Sequence, residues 1–143
     1  NFYYPGFNLR STDLQAFLGV NQMKKIEEII EIRQKNYIRY KKNLSDLDWL
    51  PNEPTNSYVS NFAFPIINKN LNKIVDNLQS NDIECRPLIC GSINKHPFWY
   101  ERYGMENLTN AEKVHEFGLY VPNHQNMSFD EVDKVCEIIL RNK

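Results

Sequence analysis

No stretch of this 143-residue chain stays apolar for the 18 or so positions that a membrane-spanning helix needs. No basic segment runs into an apolar one as a secretory leader would. Cysteine is scarce: Cys85, Cys90 and Cys136 are an odd set without a CxxC pair. That argues against a disulfide framework and for a reducing, cytoplasmic setting. Neither sign of charge dominates. With 17 Lys and Arg against 18 Asp and Glu, the net charge is −1, which gives no reason to expect nucleic acid or an anionic membrane as a partner. The familiar catalytic and phosphate-binding signatures are also missing: there is no GxGxxG, no GxxxxGK followed by Ser or Thr, no GxSxG and no HExxH. No internal repeat or low-complexity segment is present.

What is there reads as one soluble globular unit. Hydrophobic residues make up 41% and charged residues 24%, ordinary values for a packed domain. A domain of about 150 residues hides roughly 68–70% of its unfolded surface, so a real core is expected. The chain opens on Asn1 rather than Met, and it is expected to be part of a longer protein.

Periodicity predicts helix from Thr12 to Leu47, bent between Gly19 and Lys25 where helix propensity dips. Thr12 with Gln15 makes a capping box. Leu14, Phe17 and Leu18 share one face. A longer stripe runs through Ile26, Ile30, Arg33, Tyr37, Tyr40, Leu44 and Leu47. It either packs within the domain or meets a second copy or another domain. Trp49 to Ser57 is a proline-containing loop, and alternation from Tyr58 through Phe62, Phe64 and Ile66 predicts a strand. Asn70 opens a short helix with Leu71, Ile74, Val75 and Leu78 on its face, and Ile83 to Leu88 is a second strand. Cys90 to Leu108 is expected to be irregular, a length at which loops tend to be functional. Thr109 is expected to cap a short helix, "GLYVP" to form a third strand, and Ser128 with Glu131 to open a last helix through Asn142. Its buried face would be Val132, Val135, Cys136 and Ile139. The order predicts an α+β fold, with a few strands and helices against one face.

Candidate chemistry is thin on residue type alone. A zinc site from Cys85, Cys90, His96 and His124 matches no common finger spacing. Cys90 with His96 lacks an oriented third group for nucleophilic catalysis. His115 reads as a surface residue in mid-helix, and His124 as a turn residue with a structural hydrogen bond. The opening "PGFNLR" is more suggestive. Asn8 and Arg10 are two residues apart in an extended segment before a helix, so they point the same way. Both suit phosphate oxygens. Equally, Asn8 would serve a turn and Arg10 would pair with Asp13.

The stretch "GFNLRSTDLQAFLGVNQMKK" resembles a motif of the DegT/DnrJ-type sugar aminotransferases, pyridoxal-phosphate enzymes of fold type I. That motif runs Gly, Tyr or Phe, Asn, x, Arg, x, then Ser or Thr, Asp, Leu or Ile, Gln, Ala. The tail "LTNAEKVHEFGLYVPNHQNMSFDEVDKVCEIIL" resembles that family's closing helix, turn and helix. The resemblance implies that residues 1–143 are the C-terminal small domain of a larger enzyme, with 1–48 as loop and interdomain helices and 49–143 as a small α/β domain. Its sheet would be small, mostly antiparallel and of about three strands. The resemblance further implies a homodimer with shared active sites. Asn8 and Arg10 would then donate to the phosphate of pyridoxal 5'-phosphate or pyridoxamine 5'-phosphate in the partner subunit. No catalytic residue falls in this chain: the Schiff-base Lys, or the His that replaces it in the family's 3-dehydratase branch, lies upstream. The isolated chain is therefore expected to be inactive and to hold the cofactor weakly. "RPLICGSINKHPFW" is similar to the dehydratase branch. It nominates Arg86, Ser92, Asn94, Lys95 and His96 as contacts to a nucleotide-diphosphate sugar, with an amino donor such as glutamate as co-substrate. The plainer alternatives are that Arg86 pairs with Glu84 and the loop is only a lid. The implied activity is 3-dehydration of a 4-keto-6-deoxyhexose, or amino transfer to a keto sugar, for a surface polysaccharide. A stand-alone, non-catalytic binding or dimerisation module is the competing expectation.

Overall fold

The structure is a computed structural model, and it describes residues 11–88 and 91–142. Two consecutive helices come first, α1 (Asp13–Met23) and α2 (Ile26–Asn43). The break falls at Lys24 and Lys25, at the far end of the expected bend. Thr12 caps α1 as expected: its Oγ1 accepts from the Gln15 N–H, and Gln15 Oε1 accepts from the Thr12 N–H at 2.9 Å. In α2, Glu27 and Glu28 sit in the first turn and Lys41 and Lys42 in the last, complementing the helix dipole.

After a long connection come β1 (Ala63–Ile67), α3 (Leu71–Gln79) and β2 (Arg86–Pro87). A 3-10 turn at Ile93–Lys95 precedes α4 (Pro97–Tyr103). Then follow α5 (Thr109–Phe117), β3 (Gly118–Pro122) and α6 (Phe129–Leu140). The strands form one antiparallel sheet in the order β1-β3-β2. The expected α+β class and small antiparallel sheet are what the structure shows.

One sheet face carries the core. Phe64 stands opposite Val121 and Ile66 opposite Leu119, and all four are buried. Tyr40 of α2 stacks on Phe64 with ring centroids 4.9 Å apart, and Tyr37 lies 5.3 Å from the same ring. Ile74 and Leu78 from α3 complete the cluster with Val132, Val135, Cys136 and Ile139 from α6. The Tyr40 hydroxyl donates to the Pro122 carbonyl at 2.9 Å, so the buried phenol is satisfied. β1 is an outer strand, and Pro65 at its centre has no N–H to offer a further strand. Gly118 links α5 to β3 where a Cβ would lie 2.3 Å from the Val114 carbonyl, so this tight turn admits no side chain.

Four local expectations are corrected. The first strand begins at Ala63, not Tyr58; Tyr58 and Phe62 are exposed and add no buried alternation. The second strand shrinks from Ile83–Leu88 to Arg86–Pro87, because β3 pairs with only those two residues. The stretch after Cys90 is not wholly irregular. Pro97 at the first position starts α4, and Gly104 at φ +79 ends it. Finally, α5 has Leu108 at its N-cap without a side-chain cap, and Thr109 instead donates its hydroxyl to Asn107 Oδ1 at 3.2 Å.

Candidate functional site

Asn8 and Arg10 lie outside the described residues. What is described begins just after them with α1, which buries none of its residues. Leu14, Phe17, Leu18, Val20 and Met23 are each more than half exposed. Within α2 the stripe changes character along its length. Tyr37 and Tyr40 are buried, with Leu44 and Leu47 following into the core beyond the helix end, while Ile26 is exposed. The C-terminal half therefore packs within the domain, and the N-terminal half adjoins the uncovered face of α1.

The other nominated residues divide into two groups. Ser92 and Asn94 are buried and turned into their own loop. The Ser92 hydroxyl donates to Asn94 Oδ1, and Asn94 Nδ2 donates to the Glu106 carbonyl, both at very short range. Arg86, Lys95 and His96 face outward. Arg86 stands on β2 and chelates one carboxylate oxygen of Glu84, with Nε at 2.8 Å and Nη2 at 2.6 Å. That hydrogen bond, reinforced by the charge of Glu84, holds the guanidinium above its ordinary pKa. The pair is mostly solvated, so its hold is weak and an incoming anion can compete for the arginine. Lys95 is exposed. His96 is half-buried, its ring centroid 5.9 Å from that of Phe98. Beyond it, Trp99 and Tyr103 lie 4.6 Å apart on α4, with Phe98 and Tyr103 more than half exposed. The loop thus offers cationic donors beside open aromatic surface, a combination suited to phosphates with an adjoining ring.

Three residues with structural hydrogen bonds, one at this loop and two between α2 and its neighbours, were not nominated from sequence. His115 on α5 accepts the Ser92 N–H at Nδ1, 3.3 Å away. Asn123 is fully buried and donates to the Asn61 carbonyl at 2.8 Å and the Arg33 carbonyl at 3.1 Å, tying α2 to the end of the β1–β3 pair where Ala63 stands opposite Pro122. Asn36, also buried, donates to the Met127 carbonyl at 3.4 Å. Asparagine in a turn or a helix is too common to single out Asn123 or Asn36. The turn role expected of His124 is present: its Nδ1 accepts the Asn126 N–H at 3.2 Å. Cys136 is buried on α6 as expected, and desolvation pushes its thiol up to about 12, which leaves it protonated and inert.

A cavity of about 600 Å³ lies elsewhere, between the end of α2 and the start of α3. Trp49, Asp46, Asp48, Lys69 and Lys113 line it. All five are exposed. This cavity offers no desolvated lysine or buried anion-binding donor of the kind a phosphorylated aldehyde requires.

The sequence model of the DegT/DnrJ/EryC1/StrS aminotransferase family matches residues 2–140. The chain belongs to that family. A curated relative within it is GDP-4-keto-6-deoxy-D-mannose 3-dehydratase of Escherichia coli O55:H7, 32% identical over 146 residues. The match covers 96% of this chain and 38% of that protein. A solved E. coli GDP-4-keto-6-deoxy-D-mannose-3-dehydratase with bound hydrated PLP superposes at a TM-score of 0.80, with 32% identity, 96% of this chain covered and 38% of the other. A DegT/DnrJ/EryC1/StrS aminotransferase from Brucella abortus superposes at 0.86 with 21% identity, covering 99% of this chain and 38% of that one, a likeness of fold alone. The chain thus spans about two-fifths of the length of the relatives it matches.

Proposed function

We propose that residues 1–143 are the C-terminal small domain of a pyridoxal- or pyridoxamine-phosphate-dependent nucleotide-sugar enzyme. We favour the branch that removes the C3 hydroxyl of a 4-keto-6-deoxyhexose over the branch that transfers an amino group. The observation that carries the reading is 32% identity to a 3-dehydratase over 96% of this chain, together with a shared fold at a TM-score of 0.80. The cofactor, when bound, supplies the electron sink for either reaction. This chain contributes binding and orientation. Asn8 and Arg10 would donate to the cofactor phosphate, and Arg86, Lys95 and His96 to the sugar nucleotide, whose diphosphate suits fixed cationic donors. Ser92 and Asn94, both turned inward, would contribute by holding the loop's shape. The catalytic Lys or His would come from the rest of the protein.

The same reading makes the enzyme a cytoplasmic homodimer. In its support, α1 leaves five large apolar side chains uncovered, and exposed apolar surface of this kind marks interaction sites. The test uses the full-length protein with pyridoxal phosphate, glutamate and GDP-4-keto-6-deoxy-D-mannose, followed by mass spectrometry. A product lacking the C3 hydroxyl supports the dehydratase reading. An amino sugar moves the protein to the aminotransferase branch. No turnover of any nucleotide-linked keto sugar overturns the enzymatic reading.

A further inference from the structure

The segment from Gly91 to Asn107 leaves the sheet after Leu88 and rejoins the fold at α5. Its internal bonds close it on itself. Ser92 is bound to Asn94, and Asn94 reaches across to the Glu106 carbonyl near the loop's far end. Those bonds fix the loop's shape but do not fix where the loop sits on the domain.

That second task falls to α5. The Ser92 N–H, at the start of the loop, donates to His115 Nδ1 at 3.3 Å. The imidazole also lies directly against Gly91. A Cβ on Gly91 would fall 2.3 Å from His115 Nδ1, and Gly91 has φ +58, the left-handed region that favours glycine. The bare glycine lets the ring approach, and the ring's acceptor nitrogen meets the next N–H. Because Nδ1 accepts, the ring proton belongs on Nε2. A side chain that filled the space without an acceptor would leave the Ser92 N–H unpaired.

We infer that His115 is a positioning residue: it docks the Gly91–His96 loop onto α5 and so sets Lys95 and His96 at the sugar nucleotide. This rests on the reading of that loop as a substrate contact.

The test compares His115→Leu, which keeps bulk but has no acceptor, with His115→Asn, whose Oδ1 falls where Nδ1 was. Both are made in the full-length protein with cofactor bound. Amide hydrogen exchange is read across Ser92 to Tyr103, with β3 and α6 as internal controls for folding. His115→Leu is expected to speed exchange in the loop about threefold to tenfold, leave the controls unchanged and raise KM for the nucleotide sugar by a similar factor with kcat nearly unchanged. His115→Asn is expected to restore both. Unchanged loop exchange in His115→Leu overturns the inference, as does a loosened loop with an unchanged KM. Lys95→Met and His96→Gln separate the two layers. If neither raises KM, it is the substrate reading of the loop that fails, whatever His115 does to exchange.

Discussion

Arg39 of α2 and Asp133 of α6 meet in a two-pronged ion pair, Nε to Oδ1 at 2.6 Å and Nη2 to Oδ2 at 2.5 Å. Asn43 Nδ2 donates to the same Oδ1 at 2.6 Å, and the Phe129 ring lies 4.6 Å from the guanidinium carbon. The arrangement closes the polar rim of the α2–α6 seam over the buried Tyr40 and Cys136. Only a planar fork matches both carboxylate oxygens at once, so lysine is not an equivalent at Arg39.

This pair sets a pH dependence of stability. The hydrogen bond from Arg39 holds the Asp133 carboxyl below the usual carboxylate range, outweighing the opposing effect of partial burial. A pKa lowered on folding contributes stability that is complete above the unfolded value, near 4, and is lost as pH falls through the folded value. Asp133→Asn is therefore expected to lower the denaturation midpoint at neutral pH. The gap to the parent protein should close progressively as pH drops below about 4. Urea titrations across that range check this, and a gap independent of pH would count against it.

The stacked pair at the centre of the core gives a second expectation. Phe64→Ala removes a ring with no exposed surface from between Tyr37 and Tyr40, and should cost about 3–5 kcal/mol of stability. Tyr40→Phe keeps the stack and removes only the bond to the Pro122 carbonyl, at a cost of about 1 kcal/mol. Equal losses for the two variants in chemical denaturation would mean that the hydroxyl, not the ring packing, dominates here.

The core was legible in the sequence because it follows regular periods. Tyr37, Tyr40, Leu44 and Leu47 recur at helical spacing, Phe64 and Ile66 alternate, and Val132, Val135, Cys136 and Ile139 form the stripe that α6 buries. The capping boxes at Thr12 and Ser128 carry their own local signature. Strand ends were less legible, since pairing decides them. Ile83 to Leu88 has strand composition, yet β3 offers a register to Arg86 and Pro87 alone. Among the site residues, the Arg86–Glu84 pair was foreseeable from proximity in the chain. The docking of Ser92 on His115 was not, because 23 positions separate them and a histidine in a helix's last turn has no distinguishing pattern. α4 went unseen because seven residues are too few for a helical period to show, although Pro97 and Gly104 bracket it.

The proposed homodimer draws on the uncovered face of α1. Phe17 is 65% exposed and lies among Leu14, Leu18 and Val20. Burying these side chains against a second subunit would contribute about 1.5–3 kcal/mol for each one fully covered. The full-length protein is expected to sediment as a dimer, and Phe17→Glu to shift it toward monomer while leaving the circular dichroism of the helices intact. A parent protein that remains monomeric at high concentration would remove the shared-site reading along with the dimer.

The phosphate reading of Asn8 and Arg10 makes the sharpest claim on function. Thr12 and Gln15 already satisfy one another's backbone donors at the start of α1, so that helix end has less left to offer an anion. On the proposed reading, the grip on a phosphate comes from the side chains that precede it. Hydrogen bonds from or to charged groups contribute about 1.5–3 kcal/mol each, or roughly a factor of ten to a hundred in affinity. Asn8→Ala and Arg10→Met in the full-length protein are expected to weaken cofactor binding within that range, read by absorbance titration of the resolved apoenzyme. If these residues complete the partner's site, mixing an Arg10→Met subunit with one defective in the upstream catalytic residue should regenerate activity. The active pair arises in that mixture because one of its two sites draws both intact halves. Arg10→Met binding cofactor as tightly as the parent would assign the arginine to Asp13 and leave the phosphate to other donors.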